Sequence, residues 1–274
     1  MSIADLPFLR YDRMRDVASP LRDKYSTASP FPHAVIDGLF DDQLLCAIAG
    51  EFPGPHDVEW ITYKNSKEVK LASGRDEHFR PLTRMMLYHL NAAPFLEFLS
   101  AITGIENLIS DPFLEGGGMH QIEPGGKLSI HADFNKHPHN HLDRRLNVLL
   151  YLNKDWRDEY GGQLELWDQT MRSCEKKIAP KLNRMVIFST TDVSYHGHPD
   201  PLNCPIGMTR KSLALYYYTN GRPHEEASSV HSTLFQTRPG EVFQSAERPP
   251  VNYIKEFMKD LLPPILTRAI SRFT

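Results

Sequence analysis

A histidine and a carboxylate two positions apart, in LSIHADF (128–134), are the residues of this chain whose types and spacing first imply chemistry. On a β-strand, side chains at i and i+2 leave one face, so His131 and Asp133 point together while Ile130 and Ala132 point away. A neutral imidazole and a carboxylate converging in this way make up two-thirds of a 2-His-1-carboxylate facial triad. Such a triad holds non-haem Fe(II) from one side and leaves its other positions open. Zinc accepts the same ligand types, so these residues alone leave the metal undecided. A third ligand is offered 63 residues after Asp133, where VIFSTTDVSYHGHP (186–199) closes a strand-like run with His196 and His198. Fourteen residues beyond His196, Arg210 heads RKSLALYYYT. Alternation puts Arg210, Ser212, Ala214 and Tyr216 on one face. A barrel-facing guanidinium needs a fixed partner or a ligand carboxylate, which it grips bidentately, with Ser212 as a neighbouring hydroxyl donor.

These residues need a scaffold that brings distant strands to one mouth. Between about 107 and 222, short β-branched or aromatic runs (LNVLLYLN, QLELWD, RMVIFST, SLALYYYT) alternate with turn signals such as Pro124-Gly125-Gly126 and Gly161-Gly162. That texture predicts a mainly β fold with flanking helices (α+β), its core a barrel or double-sheet jelly roll. Ahead of it, 32–39 reads as a strand, and Asp41 or Asp42 caps a helix through Phe52. LTRMMLYHLN and FLEFLSAITG form two more helices within 79–103, broken at Pro94. Residues 56–80, polar with Trp60 and Tyr63, read as a substrate-facing flap or a surface loop. His137, His139 and His141, in HPHNHLD, read as a solvated lid over the mouth. Residues 223–252 are polar and irregular. Residues 253–273 read as a helix broken at Pro263-Pro264, placed to pack on the barrel, touch a membrane surface or pair two copies as a homodimer.

Composition narrows the function classes. The 274 residues carry 31 Lys+Arg against 34 Asp+Glu, a net −3 without a polybasic block, which argues against nucleic acid as a partner. No apolar run reaches transmembrane length, and the N-terminus lacks a secretory pattern. Three scattered cysteines read as free thiols, so a cytoplasmic setting is expected. Thirteen histidines are the unusual count, and seven of them fall between His120 and His198.

Taken in order, HAD at 131–133, YLNKDW at 151–156, GGQLEL at 161–166, His196 and Arg210 opening RKSLALYYY resemble the Fe(II)/2-oxoglutarate-dependent dioxygenases, in their prolyl 4-hydroxylase-like branch. PFPHAVIDGLF (30–40) resembles a leading strand of such proteins. The resemblance implies a double-stranded β-helix with iron at one open end. It implies a single oxygenase domain over 1–274: helical support with a leading strand (1–106), core (107–222) and appendage (223–274). It carries over His131, Asp133 and His196 as iron ligands, and its pattern favours His196 over His198. Arg210 becomes the partner of the cosubstrate's distal carboxylate, helped by Tyr151 and Ser212, with Asn147 lining that pocket. Implied cofactors are Fe(II), 2-oxoglutarate and O2, with ascorbate as accessory reductant. The implied activity is hydroxylation of an amino acid, a peptidyl proline or another small molecule, releasing succinate and CO2. Asp133 favours hydroxylation over halogenation and leaves desaturation and cyclisation open. Two other classes fit the bare residues: a non-catalytic or zinc-holding jelly-roll module, and a cupin-like metal enzyme without 2-oxoglutarate.

Overall fold

The computed structural model describes residues 7–241. Helix α1 (Tyr11–Ser26) precedes strand β1 (His33–Asp37) and helix α2 (Asp42–Glu51). A hairpin, β2 (Ile61–Lys64) and β3 (Glu68–Ser73), leads to helices α3 (Pro81–Leu90) and α4 (Ala93–Thr103). The remaining strands are β4 (Ile109–Ser110), β5 (Gly118–Ile122), β6 (Lys127–Ala132), β7 (Asp143–Tyr151), β8 (Leu164–Trp167), β9 (Cys174–Ile178), β10 (Arg184–Ser189), β11 (His196–His198), β12 (Arg210–Thr219) and β13 (Leu234–Phe235).

Local chemistry sets the helix ends. The Asp41 carboxylate accepts from the Gln43 and Leu44 amides and caps α2. Pro94 lies in the first turn of α4, where its missing N–H costs nothing. The break expected at Pro94 therefore falls just before it, at Asn91-Ala92, and α4 stops at Gly104 in the left-handed conformation.

The strands hydrogen-bond antiparallel in the order β1-β10-β7-β12-β5-β3-β6-β11-β8-β9, a sheet that curls into a double-stranded β-helix. Alternation then separates two interiors. On β7, Leu146, Val148 and Leu150 join the main core with Leu213, Leu215 and Tyr217 of β12 and with residues of all four helices, among them Leu44, Leu87 and Leu99. Asn147, Leu149 and Tyr151 alternate with them and face the barrel lumen, where Tyr151 packs with Phe31, Leu164, Leu166 and Phe188. Strand β7 is buried on both faces, which is why LNVLLYL is so continuously apolar.

The barrel draws strands from outside 107–222. Residues 56–80 are more than a flap or loop: Tyr63, Glu68 and Lys70 face the cavity, and β3 lies between β5 and β6 as a wall strand, paired through Leu71–Ser73 and Glu68–Val69. Beyond β12 the chain returns, and β13 pairs with β6, setting Phe235 opposite His131. The helix expected over 253–273, and the dimer or membrane contact tied to it, lies outside the described residues. Among the described residues no helix is long and apolar enough to cross a membrane.

Candidate metal and cosubstrate site

His131 lies near the end of β6, Asp133 just past it, and His196 opens β11 directly across from His131. The pairing places the imidazole centroids 4.5 Å apart. His131 Nε2 is 3.6 Å from Asp133 Oδ1, and His196 Nε2 is 3.4 Å from Asp133 Oδ2. One ligand atom from each residue lies within 4.8 Å of the others. Each histidine Nδ1 is 2.9 Å from the carbonyl two residues upstream, Ser129 O and Ser194 O. A carbonyl only accepts, so Nδ1 carries the proton in both rings and each Nε2 turns a bare lone pair toward the carboxylate. Two lone pairs and a carboxylate facing one point fit a divalent cation.

Burial and nearby charge keep Asp133 and His196 in their ligating forms. Burial pushes the Asp133 pKa up, but Arg144 and the two imidazoles outweigh it and hold the carboxyl well below its usual range. Burial and then His131 push His196 down to about 4, against the pull of Asp133. Arg144 Nη2 lies 3.2 Å from Asp133 Oδ2, on a side chain with no solvent exposure. Its guanidinium carbon sits 3.5 Å from the Tyr216 ring centroid and 4.3 Å from that of Phe134, a cation held between two π faces.

The second half of the site lies deeper. Arg210 Nε donates to Gly162 O at 2.8 Å and Nη2 to Tyr151 Oη at 3.2 Å. Arg210 is 4% exposed, and among the described residues no carboxylate pairs with it. Ser212 follows on the same face, opposite Tyr151 of β7 and His120 of β5. One cavity of about 270 Å³ connects the two halves; its walls include the triad, Arg144, Asn147, His198, Arg210 and Ser212.

Three expectations are corrected. Asn147 does face the lumen, but its Nδ2 donates to Asp133 at 2.7 Å and its Oδ1 accepts from Arg144 at 2.6 and 3.1 Å. Four strand residues span about 13 Å, so Asn147 serves the metal end while Tyr151 reaches Arg210. His137 is not part of a solvated lid. It is 2% exposed, its Nδ1 accepts the His139 amide at 3.2 Å, and its Nε2 lies 3.5 Å from Asp111. His139 remains outside, with 78% of its side chain exposed. His198, one of two candidates for the third ligand, stands outside the metal-competent cluster and is buried in the cavity wall rather than at its rim.

Sequence reading missed Arg144, Gly162, Phe188 and Phe235. Phe188 packs its edge on His196 at 4.6 Å, and Phe235 covers His131 at 5.5 Å. The segment carrying Phe235 is tied down by Asn135, which bonds Ser228, Ser229 and His231, and by a 2.9 Å contact from His231 to Asp192. The signal for Arg144 was a charged pair, Arg144-Arg145, at the head of an apolar strand. The signal for Phe235 was weak, a lone aromatic in polar sequence.

The described residues thus form a curled antiparallel barrel with two histidines and an aspartate at its mouth and a buried arginine below. Residues 117–218 match the family model of the 2OG-Fe(II) oxygenase superfamily. The chain is 23% identical over 216 residues to the mouse (Mus musculus) prolyl 3-hydroxylase OGFOD1, covering 72% of this chain and 36% of that protein. The chain thus spans about a third of that curated relative. Among solved structures it is similar to a Pseudomonas putida prolyl-4-hydroxylase, with TM-score 0.54 and 17% identity, over 75% of this chain and all of that one. It is also similar to a Trichoplax adhaerens prolyl hydroxylase in complex with a hypoxia inducible factor oxygen degradation domain peptide fragment. There the TM-score is 0.51 and the identity 16%, covering 76% of this chain and 90% of that one.

Proposed function

We propose that this chain is an Fe(II)- and 2-oxoglutarate-dependent hydroxylase, acting on an unactivated C–H bond of a prolyl residue, a free amino acid or a similar small molecule. The observation that carries the reading is Arg210: a buried guanidinium with no carboxylate partner among the described residues, in the same cavity as a cation-ready triad. Burying such a charge costs several kcal/mol unless an anion meets it, so the cavity is built for a ligand bearing a carboxylate at its deep end.

His131, Asp133 and His196 would hold the iron, which with 2-oxoglutarate and O2 supplies oxidative decarboxylation to succinate and CO2 and delivery of one oxygen atom. Arg210 binds the distal carboxylate and Tyr151 adds its hydroxyl. Burial raises the Tyr151 pKa and Arg210 opposes that rise, so the phenol keeps its proton and donates. Arg144 and Asn147 fix the Asp133 carboxylate. Phe188 and Phe235 shield the two histidines from water. The mouth between Tyr63, Lys70, Glu115 and Tyr216 would admit the substrate. The peptide held by the Trichoplax enzyme supports a peptidyl proline among the candidates.

The test is turnover. Purified protein with Fe(II), 2-oxoglutarate, ascorbate and a panel of prolyl peptides and amino acids should release succinate and yield one product heavier by one oxygen atom. Arg210→Ala should lose most 2-oxoglutarate affinity and keep its iron. Iron binding without any 2-oxoglutarate binding would instead support a metal-holding module or a cupin-like enzyme.

A further inference from the structure

The cavity wall holds a buried imidazole, His198, to which the reading above gives no role. His198 follows His196 by two positions on β11, so both face the lumen, His198 about 7 Å further along the strand. It is 3% exposed, and neither ring nitrogen has a partner. Among the described residues, no other buried side chain leaves both its nitrogens unpaired. A buried polar group left without a partner destabilises the fold, and a leucine or phenylalanine would fill the same wall without that cost. A side chain that breaks this rule inside a ligand cavity is expected to complete its hydrogen bonds on the ligand.

Its neighbours say which ligand. His198 lines the same cavity as the triad and Arg210, with Lys70 and His120 also in its walls. Across β6 it pairs with Leu128, which also lines the cavity. A dicarboxylate held in that cavity by the triad and Arg210 shares it with this ring. An imidazole carries at least one N–H in either protonation state, and a donor onto a carboxylate makes a charge-assisted bond. We propose that His198 donates a hydrogen bond to bound 2-oxoglutarate, a third polar grip beside Arg210 and Tyr151; this rests on reading the cavity as the 2-oxoglutarate site.

The experiment compares the full chain with His198→Leu and His198→Gln. 2-Oxoglutarate is titrated anaerobically into Fe(II)-loaded protein, by calorimetry and by the visible charge-transfer absorption of the iron chelate. Iron content and apoprotein melting are measured alongside. His198→Leu should weaken 2-oxoglutarate binding by about tenfold or more. It should keep one iron per chain, and its apoprotein should melt at or above the parent temperature because an unpaired polar group is gone. His198→Gln, which restores an N–H, should recover most of the affinity. Parent-like affinity in His198→Leu overturns the inference alone. So does loss of iron in that variant, which would make His198 a metal ligand. A parent protein that binds iron but no 2-oxoglutarate sinks both this inference and the proposed function.

Discussion

Gly162 offers the sharpest perturbation of the deep half of the site. Its φ is +70°, and a Cβ built there would lie 2.6 Å from Leu202 Cδ2, 2.9 Å from Arg210 Cδ and 3.3 Å from Arg210 Nε. Carbon pairs settle near 3.5–4.0 Å, so in Gly162→Ala both neighbours must retreat by roughly 0.6–1 Å. Leu202 has little room, packed with Ile122, Trp156 and Cys204. Arg210 therefore moves, and its bond to the carbonyl of Gly162 lengthens. Losing one of two charge-assisted bonds to a carboxylate is worth about 1.5–3 kcal/mol, or about 10- to 150-fold in 2-oxoglutarate affinity. The left-handed backbone adds about 1–2 kcal/mol of instability. Gly161→Ala is the control. It too has positive φ, +73°, but its Cβ would meet only Pro201 O, at 3.8 Å. Calorimetric titration of metal-loaded protein should show Gly162→Ala impaired for 2-oxoglutarate with unchanged metal content. Gly161→Ala should lose stability and keep cosubstrate affinity. If Gly162→Ala bound 2-oxoglutarate within twofold of the parent, or if Gly161→Ala lost as much, the positioning of Arg210 by this glycine would be refuted.

Two further predictions concern the metal end. Arg144→Met strips Asp133 of a fully buried counter-charge, which costs about 3–5 kcal/mol in the apoprotein. A bound divalent cation replaces part of that charge, so thermal melts should show a larger metal-induced rise in the variant than in the parent; equal rises would contradict the pairing. Acid stability is the other. Burial lowers His33, His120 (to about 3), His196 (to about 4) and His198 below the ordinary 6.5 of the unfolded chain. Between those values the unfolded state binds more protons, so apoprotein stability is full above pH 6.5 and falls as pH drops below it, by about 2 kcal/mol from His196 alone by pH 5. Denaturant titrations from pH 7.5 to 5 check this, and a midpoint independent of pH would refute it.

What the sequence by itself determined is the set of chemical groups and their faces where strands are regular. H-x-D shows two ligands converging because alternation is local geometry. Arg210, Ser212 and Tyr216 share a face for the same reason, and a lumen-facing arginine implies an anion before any coordinate is known. The order of strands, turns and helical stripes likewise gave the mainly β class and the main helices beside it. The tertiary structure alone decided what happens where strands are irregular or where the ends of the chain return. Between Tyr217 and Tyr218 of β12, the partners on β7 jump from Leu146 to Arg144, an extra residue that turns Arg144 into the lumen. Strict alternation would have sent Arg144 to the helix side with Leu146. A second irregularity pairs His196 with His131 but His198 with Leu128, so Leu128 rather than Ser129 joins the cavity wall. Phe235 reaches His131 across more than one hundred residues of chain, through a two-residue strand that no local pattern marks. A strand's period assigns faces only while the register holds, and both register shifts in these strands lie beside the metal ligands, where the barrel must bend to bring its groups together.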